Sequence, residues 1–230
     1  MTLRLNRNAR PQKLEVGRSR SRIVVIDDAL LNPEMLTDAA RVAEFQRPAT
    51  LYPGLNAYLP PELANVIVAG VRPLLDKAYG LPVSAPIGGS GYFGLVTDAA
   101  ADLHPMQTIP HYDVTDGDTL AVLVYLCGPE HGATGFYRHN LSGLETLTPA
   151  YADGYNRHIS TALPRLEARP RAYFDGSDDD FTLIGKVEAQ YNRLVIYNSN
   201  LLHSAIVAPA KLSTDPGKGR LTANMFVTRA

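Results

Sequence analysis

The chain has 230 residues, of which 45% are hydrophobic and 20% are charged, with a formal net charge of −1. This composition is typical of a folded globular protein and excludes wholesale disorder. The near-zero net charge excludes a strong long-range attraction to nucleic acid or to an anionic membrane surface.

The N-terminal segment is locally basic, although the whole chain is not. Glu15 is the single acidic residue in this segment. The basic residues are Arg4, Arg7, Arg10, Lys13, Arg18, Arg20 and Arg22. A transit peptide or a phosphate-binding arm would have this composition. A solvated edge strand that carries protective charges also would, and it is the favoured interpretation. The β-branched run over 22–28 then predicts an early strand.

Two helices are predicted next. Asn32 as the cap and Pro33 at the first helical position start one that extends through Phe45 until Pro48 stops it. Pro60 or Pro61 starts a second helix that runs to about Tyr79, with Gly80 as its terminator. Tyr52-Pro53-Gly54 between them predicts a turn. We interpret both helices as packing supports for a sheet.

From residue 90 onward the pattern indicates a β-rich body. The strands are predicted over 91–97, 106–109, 119–126, 132–138, 181–187, 193–197 and 221–228. The stretch 139–180 is polar and is interpreted as a long insertion with at most one short helix near 150–163. The fold class is therefore mainly β with flanking helices around a double-stranded β-helix, a jelly-roll or cupin-like core. No domain boundary is visible, so we expect a single domain over 1–230, with 1–89 as support and 90–230 as the core.

The triplet His111-Tyr112-Asp113 is the main chemical signal in the sequence. On an extended strand, side chains two residues apart point to the same face, so His111 and Asp113 share one face. His203, from a distant segment, supplies a second imidazole. Two histidines and one carboxylate form the three-ligand set of non-haem Fe(II) oxygenases, which leaves the opposite face of the ion free.

The final predicted strand carries an arginine that needs an anion. Arg220 and Thr222 share one face by the period-two rule, while the alternate face is uniformly apolar at Leu221, Ala223, Met225 and Val227. Arg220 would then point into the core, where an unpaired guanidinium is costly. A dicarboxylate co-substrate would neutralise it through two parallel hydrogen bonds. An internal salt bridge to Asp or Glu is the alternative.

The stretch 111–136, HYDVTDGDTLAVLVYLCGPEHGATGF, resembles the prolyl-4-hydroxylase-like branch of the Fe(II)/2-oxoglutarate-dependent dioxygenases. In that branch the His-x-Asp is followed by an apolar strand ending in Tyr-Leu, an acidic turn and a Gly-rich T-x-F segment. The resemblance continues to His203 and to Arg220-x-Thr222. It implies that His111, Asp113 and His203 bind Fe(II), and that Arg220 and Thr222 hold the distal carboxylate of 2-oxoglutarate. By the same resemblance, the Tyr125 hydroxyl assists that carboxylate.

The implied activity is a hydroxylation of an unactivated C–H bond with release of succinate and CO2. Its cofactors would be Fe(II), 2-oxoglutarate and O2, with ascorbate as a supporting reductant. We expect a small-molecule or amino-acid-like substrate, and no nucleic acid or membrane partner. The single Cys127 fits a reducing cytoplasm. The oligomeric state is not readable from the sequence.

Two other classes of protein share this residue pattern. One is a metal-dependent cupin enzyme that uses no 2-oxoglutarate, and the other is a non-catalytic jelly-roll module that binds a metal or a ligand. The remaining histidines lack partners at ligand spacing and are interpreted as surface or structural residues: His104, His131, His139 and His158.

Overall fold

The computed structural model describes residues 2–80, 87–88 and 91–229. Three α-helices lie within them: α1 (Glu34–Val42), α2 (Pro61–Tyr79) and α3 (Pro149–Glu167). The strands are β1 (Gln12–Val16), β2 (Ser21–Ile26), β3 (Gly54–Tyr58), β4 (Ile87–Gly88), β5 (Gly91–Val96), β6 (Thr119–Tyr125), β7 (Gly132–His139), β8 (Phe181–Glu188), β9 (Leu194–Asn198), β10 (His203–Val207) and β11 (Arg220–Arg229). The suggested border at residues 89 and 90 lies outside the described residues.

A large antiparallel sheet is the framework of the molecule. Within the described residues it has eight strands in the order β1-β2-β9-β6-β11-β5-β3, with β4 paired to the end of β11. One face packs against α1 and α2 through a core that includes Leu36, Ile67, Leu75 and Leu221. The two helices therefore cover the outer face of the sheet, as expected from their apolar residues.

A second sheet covers the opposite face of the first. It has the order β10-β7-β8 among the described strands. Phe136 of the small sheet packs edge-on against Tyr197 of the large one, with ring centroids 5.2 Å apart. Both belong to a buried cluster between the sheets that also contains Val25, Leu123 and Val187. The predicted fold class, a double-stranded β-helix core with flanking helices, is confirmed.

The insertion after β7 is more ordered than the sequence suggested. Its helix, α3, spans 19 residues rather than the short helix expected near 150–163. Tyr155 and Ile159 of α3 join Ile109 in a buried cluster. The helix thus packs against the segment that leads into His111.

The basic N-terminal segment forms the edge strand β1 and a turn into β2. The turn is fixed by Glu145 of the insertion, whose side chain is only 3% exposed. Glu145 accepts hydrogen bonds from the backbone N–H groups of Arg18 and Ser19 and from the Ser19 hydroxyl. The favoured interpretation, an edge strand, is confirmed.

Some local predictions were wrong. Residues 106–109 do not form a strand, because Pro105–Thr108 is a 3-10 turn; the His104 N–H donates to the Gln107 side-chain oxygen, and the Met106 N–H donates to His104 Nδ1. Helix α1 ends at Val42, before the predicted limit, and the Asn32 amide bonds to Thr2 and Met35 instead of capping the helix. Strands β3, β4 and β10 were not predicted. Helix α2 ends as predicted, with Gly80 in the left-handed conformation at φ 66°.

Among the described residues, no helix combines the length and apolar character that crossing a membrane requires.

Candidate metal centre

Backbone hydrogen bonds bring the two histidines of the predicted site together. His111 and His203 form an isolated antiparallel bridge, in which each N–H donates to the carbonyl oxygen of the other at 2.9 and 2.8 Å. Their ring centroids are 4.4 Å apart. A bridge of one residue pair, at the start of β10, is therefore what joins two segments that are distant in sequence.

Asp113 is placed beside both rings by a further backbone bond. Its N–H donates to the carbonyl oxygen of Ser199 at 2.9 Å, in the turn before β10. Its two carboxylate oxygens lie 3.8 Å from His111 Nε2 and 3.6 Å from His203 Nε2. The ligand atoms of the three residues all lie within 4.8 Å of one another.

This donor set fits a divalent transition metal. Ligand atoms bound at right angles, about 2.1 Å from one ion, would be about 3 Å apart. The observed separations reach that value with small side-chain movements. Two imidazoles and one carboxylate are also the set that suits Fe(II) with open positions. Among the described residues, no other group of three His, Cys, Asp or Glu side chains brings its potential ligand atoms this close together.

The buried His203 ring is oriented for metal binding by its other nitrogen. Its Nδ1 lies 2.8 Å from the carbonyl oxygen of Leu201. A carbonyl oxygen only accepts, so Nδ1 carries the proton and Nε2 presents its lone pair toward Asp113. Burial lowers the pKa of His203 to about 4, although the Leu201 bond opposes this shift. The ring is neutral at pH 7, which is the form that binds metals.

His111 lines a recess rather than the core. Its side chain is 55% exposed, yet protein surrounds it sufficiently that desolvation, together with His203, lowers its pKa to about 4 against the opposing effect of Asp113. Burial also raises the pKa of Asp113, while His111 opposes that rise. A bound cation would reverse the effect on the carboxylate, because it favours the ionised form.

Arg220 lies inside the sandwich, as predicted. The residue is 4% exposed, and its Nη2 donates to the carbonyl oxygen of Ala133 at 2.9 Å. Its Nε is buried without a hydrogen-bond partner. No carboxylate among the described residues pairs with it, so the internal salt bridge considered above is not formed there. The guanidinium is therefore left with free donors, and the described part of the chain supplies no anion for them.

Thr222 and Tyr125 are direct neighbours of Arg220 on the inner face. They are register partners across β11 and β6. The guanidinium carbon of Arg220 lies 5.6 Å from the centre of the Tyr125 ring. The Tyr125 hydroxyl lies 2.5 Å from the hydroxyl of Thr134, and the Thr222 hydroxyl accepts a bond from the Asn224 amide at 2.9 Å. The alternate residues of β11 pack against the helices, as predicted.

The carboxylate of the triad and the guanidinium border one interior region. Tyr197 lies between them, since its ring is 5.0 Å from that of His203 and it packs in the same buried cluster as Tyr125, the ring next to the Arg220 guanidinium. Burial raises the pKa of Tyr197, with Asp113 adding to the rise and Arg220 opposing it. Tyr197 was missed from the sequence, where nothing distinguishes it from a core tyrosine. Only the folded position of β9, which directs the ring toward His203, reveals that Tyr197 borders the site.

Sequence comparison places the chain in a family. A family model described as a family of unknown function, DUF6445, matches residues 7–227. The chain belongs to the DUF6445 family. The match covers the small sheet, all of the large sheet except the last two residues of β11, and every residue of the candidate site. No curated protein matches this DUF6445 chain in sequence.

Solved structures with a similar fold include an epimerase, a prolyl-4-hydroxylase and a protein with 2-oxoglutarate bound. The epimerase SnoN, in complex with Fe3+, alpha-ketoglutarate and nogalamycin RO, is 16% identical and covers 92% of this DUF6445 chain and 80% of its own, with a TM-score of 0.51. A prolyl-4-hydroxylase of Pseudomonas putida is 14% identical over 87% of this chain and 89% of its own, with a TM-score of 0.46. HygX of Streptomyces hygroscopicus, with nickel, 2-oxoglutarate and hygromycin B bound, is 16% identical over 90% and 82%, with a TM-score of 0.46. At this identity, the likeness to SnoN shows a shared fold. The fold of this DUF6445 chain is that of the Fe(II)/2-oxoglutarate-dependent oxygenases, as the resemblance predicted.

Proposed function

We propose that this chain is an Fe(II)- and 2-oxoglutarate-dependent dioxygenase that hydroxylates an unactivated C–H bond of a small molecule. The observation that carries the proposal is one juxtaposition. Three potential metal ligands lie within 4.8 Å of one another, and the same interior contains a buried arginine with no carboxylate partner among the described residues. A protein that only binds a metal would need the three ligands, but it would not need a buried arginine without a carboxylate partner.

His111, Asp113 and His203 would hold the iron. Leu201 fixes the orientation of the His203 ring, and the backbone bridge fixes its distance from His111. Once bound, iron supplies activation of O2 coupled to the decarboxylation of 2-oxoglutarate to succinate and CO2, with one oxygen atom passing to the substrate. The three ligands occupy one side of the ion and leave the other side accessible.

Arg220, Thr222 and Tyr125 would bind the distal carboxylate of 2-oxoglutarate. The planar guanidinium suits a carboxylate because it donates two parallel hydrogen bonds. The Thr222 and Tyr125 hydroxyls lie on the same inner face, and each would turn its proton from its present contact, with Gly94 or with Thr134, toward the carboxylate. By holding the far end of the co-substrate, these residues would orient its other end toward the triad.

A small molecule is the proposed primary substrate. A cleft of about 680 Å³ lies at the outer edge of the large sheet, where Asn56, Tyr58 and Tyr92 line it. That volume is in the range of small-molecule sites. Tyr92 also takes part in ring contacts with Tyr52 and Phe226, with centroids 6.3 and 6.4 Å away. We propose that the substrate enters from this side of the sheet. We place the enzyme in the cytoplasm, because its cysteine, Cys127, is free and buried.

The proposal is tested by metal binding and by succinate release. The purified protein should bind close to one Fe(II) per chain and release succinate from 2-oxoglutarate in the presence of O2 and ascorbate. Addition of the true substrate should accelerate succinate release and increase the substrate mass by one oxygen atom. A product of unchanged mass would instead indicate an epimerisation, the reaction named for SnoN.

Two results would contradict the proposal. Iron binding without any effect of 2-oxoglutarate would indicate the cupin enzyme that uses no 2-oxoglutarate, or a binding module. Failure to bind a divalent metal would exclude both of these metal-dependent alternatives as well.

A further inference from the structure

A turn outside the jelly-roll core reaches into the co-substrate region. It consists of residues 51–53, just before β3, in the N-terminal region to which the sequence analysis gave only a supporting role. Its backbone is fixed at two points. The carbonyl oxygen of Leu51 accepts from Gln107 Nε2 at 3.1 Å, and that of Pro53 accepts from the Thr97 N–H at 3.2 Å. Tyr52, between them, is therefore held in one position.

The Tyr52 hydroxyl is buried without a hydrogen-bond partner. A buried hydroxyl that makes no hydrogen bond costs free energy, so a phenylalanine would serve better if packing were the whole role. The ring already packs edge-on against Tyr92, with centroids 6.3 Å apart, and that contact does not require the oxygen. The hydroxyl therefore needs another explanation.

Gly94 leaves the space that the hydroxyl occupies. A Cβ atom built on Gly94 would lie 2.6 Å from Tyr52 Oη and 3.0 Å from Asn224 Nδ2. Gly94 is the register partner of Thr222, the predicted carboxylate-binding residue of β11. The hydroxyl thus lies over the inner face directly beside Thr222, because the adjoining strand lacks a side chain at this position.

The groups around this space are donors. Arg220 lies two residues before Thr222 on the same face, and its charge acts on Tyr52 by lowering the pKa of the hydroxyl, against the larger raising effect of burial. The buried Nε of Arg220 and the Tyr52 hydroxyl both lack partners. An anion with more than one acceptor oxygen would accept hydrogen bonds from both groups.

We infer that Tyr52 binds the distal carboxylate of the dicarboxylate co-substrate, together with Arg220 and Thr222. The inference rests on the proposed function, because it assumes that 2-oxoglutarate occupies this site. It assigns a binding role to the N-terminal region, and it gives Gly94 the role of keeping the space open.

The test measures binding rather than turnover. Mn2+ replaces iron to prevent oxidation, and isothermal titration calorimetry gives the dissociation constants of two ligands. One is 2-oxoglutarate; the other is 2-oxobutyrate, which keeps the metal-chelating 2-oxo acid group but lacks the distal carboxylate. Tyr52→Phe should weaken 2-oxoglutarate binding by about 10-fold to 100-fold, the range for a lost hydrogen bond to a charged group. Binding of 2-oxobutyrate should not change.

The matched control is Tyr191→Phe, since Tyr191 is 41% exposed and lies outside the site. It should bind both ligands as the wild type does. Gly94→Ala provides a second variant, which should weaken 2-oxoglutarate selectively by displacing the Tyr52 hydroxyl. Thermal unfolding of each variant checks that it is folded.

The outcomes are distinguishable. If the wild type binds 2-oxoglutarate and Tyr52→Phe binds it equally well, the inference fails and the proposed function stands. A loss of the same size for both ligands would also overturn the inference, because it would indicate a general disturbance of the metal site. A wild type that does not respond to 2-oxoglutarate overturns the proposed function and this inference together.

Discussion

Asp113 is the residue on which iron binding should depend most, since it supplies the anionic ligand of the triad. Asp113→Ala should lower the affinity for Fe(II) by more than about tenfold, because even the loss of an outer-shell partner has effects of that size. Metal content after dialysis, together with succinate release, measures the change. Asp153→Ala, at an exposed carboxylate on α3, should retain both. Full iron retention by Asp113→Ala would remove Asp113 from the ligand set.

Arg220 should show opposite effects on stability and binding. Its guanidinium is buried without a carboxylate partner among the described residues, so Arg220→Met should raise the free energy of unfolding of the ligand-free protein by about 1–2 kcal/mol. The same change should abolish the response to 2-oxoglutarate. Urea unfolding and calorimetric titration measure the two effects, with the exposed Arg157→Met as the control. A less stable variant would indicate that an internal partner already neutralises Arg220.

At the scale of elements, α3 packs against the corner that carries the proposed metal ligands. Tyr112 lies between the proposed ligands His111 and Asp113 in sequence, and its hydroxyl donates to the side-chain oxygen of Asn156 on α3 at 3.0 Å. Ile159 is 5% exposed and packs in the cluster that contains Ile109. Ile159→Ala should reduce the free energy of unfolding by about 2–5 kcal/mol and weaken Fe(II) binding as well. Val42→Ala, at an 85% exposed position, should do neither. Loss of stability with unchanged iron affinity would show that α3 does not support the site.

The contact between the insertion and the β1–β2 turn should depend on pH through Glu145. Burial raises the pKa of Glu145, but the bonds from Ser19 and Arg18 and the charge of Arg138 lower it further, to a value below normal. A depressed pKa contributes stability above the unfolded pKa of about 4.3, and this contribution is lost as the pH falls through the folded value. Glu145→Gln should therefore cost about 1.5–3 kcal/mol at pH 7 and progressively less below pH 4. Urea unfolding across this range tests it, with the exposed Glu34→Gln as the control. An equal loss at all pH values would contradict the assignment.

At the scale of the whole molecule, ligands that bind only the folded state should stabilise it. Mn2+ with N-oxalylglycine, each at 100 times its dissociation constant, should each add about 2.7 kcal/mol. For a chain of 230 residues, each addition corresponds to a rise in Tm of roughly 5–10 °C. Asp113→Ala should lose both rises, whereas Arg220→Met should lose mainly that of N-oxalylglycine. An unchanged Tm with both ligands present would argue against a ligand site between the sheets.

Local patterns in the sequence determined most of the elements. The apolar run at β6 is buried at all seven positions, as a strand between two packed layers requires. The alternation along β11 placed Arg220 and Thr222 inward and their apolar neighbours against the helices. Gly80 ended α2 because a left-handed residue terminates a helix locally. The sequence was enough to identify His111, Asp113, His203 and Arg220 as candidate site residues, because each belongs to a short motif.

Only the tertiary structure decided what lies between those motifs. Strand β10 is short and was missed, yet its bridge to His111 assembles the proposed site. The hydroxyl of Tyr52 lies over Gly94, the register partner of Thr222, only because Gly94 has no side chain to occupy that space. The physical reason is that periodicity fixes which face a side chain occupies, whereas strand register and loop closure decide which distant side chain it meets.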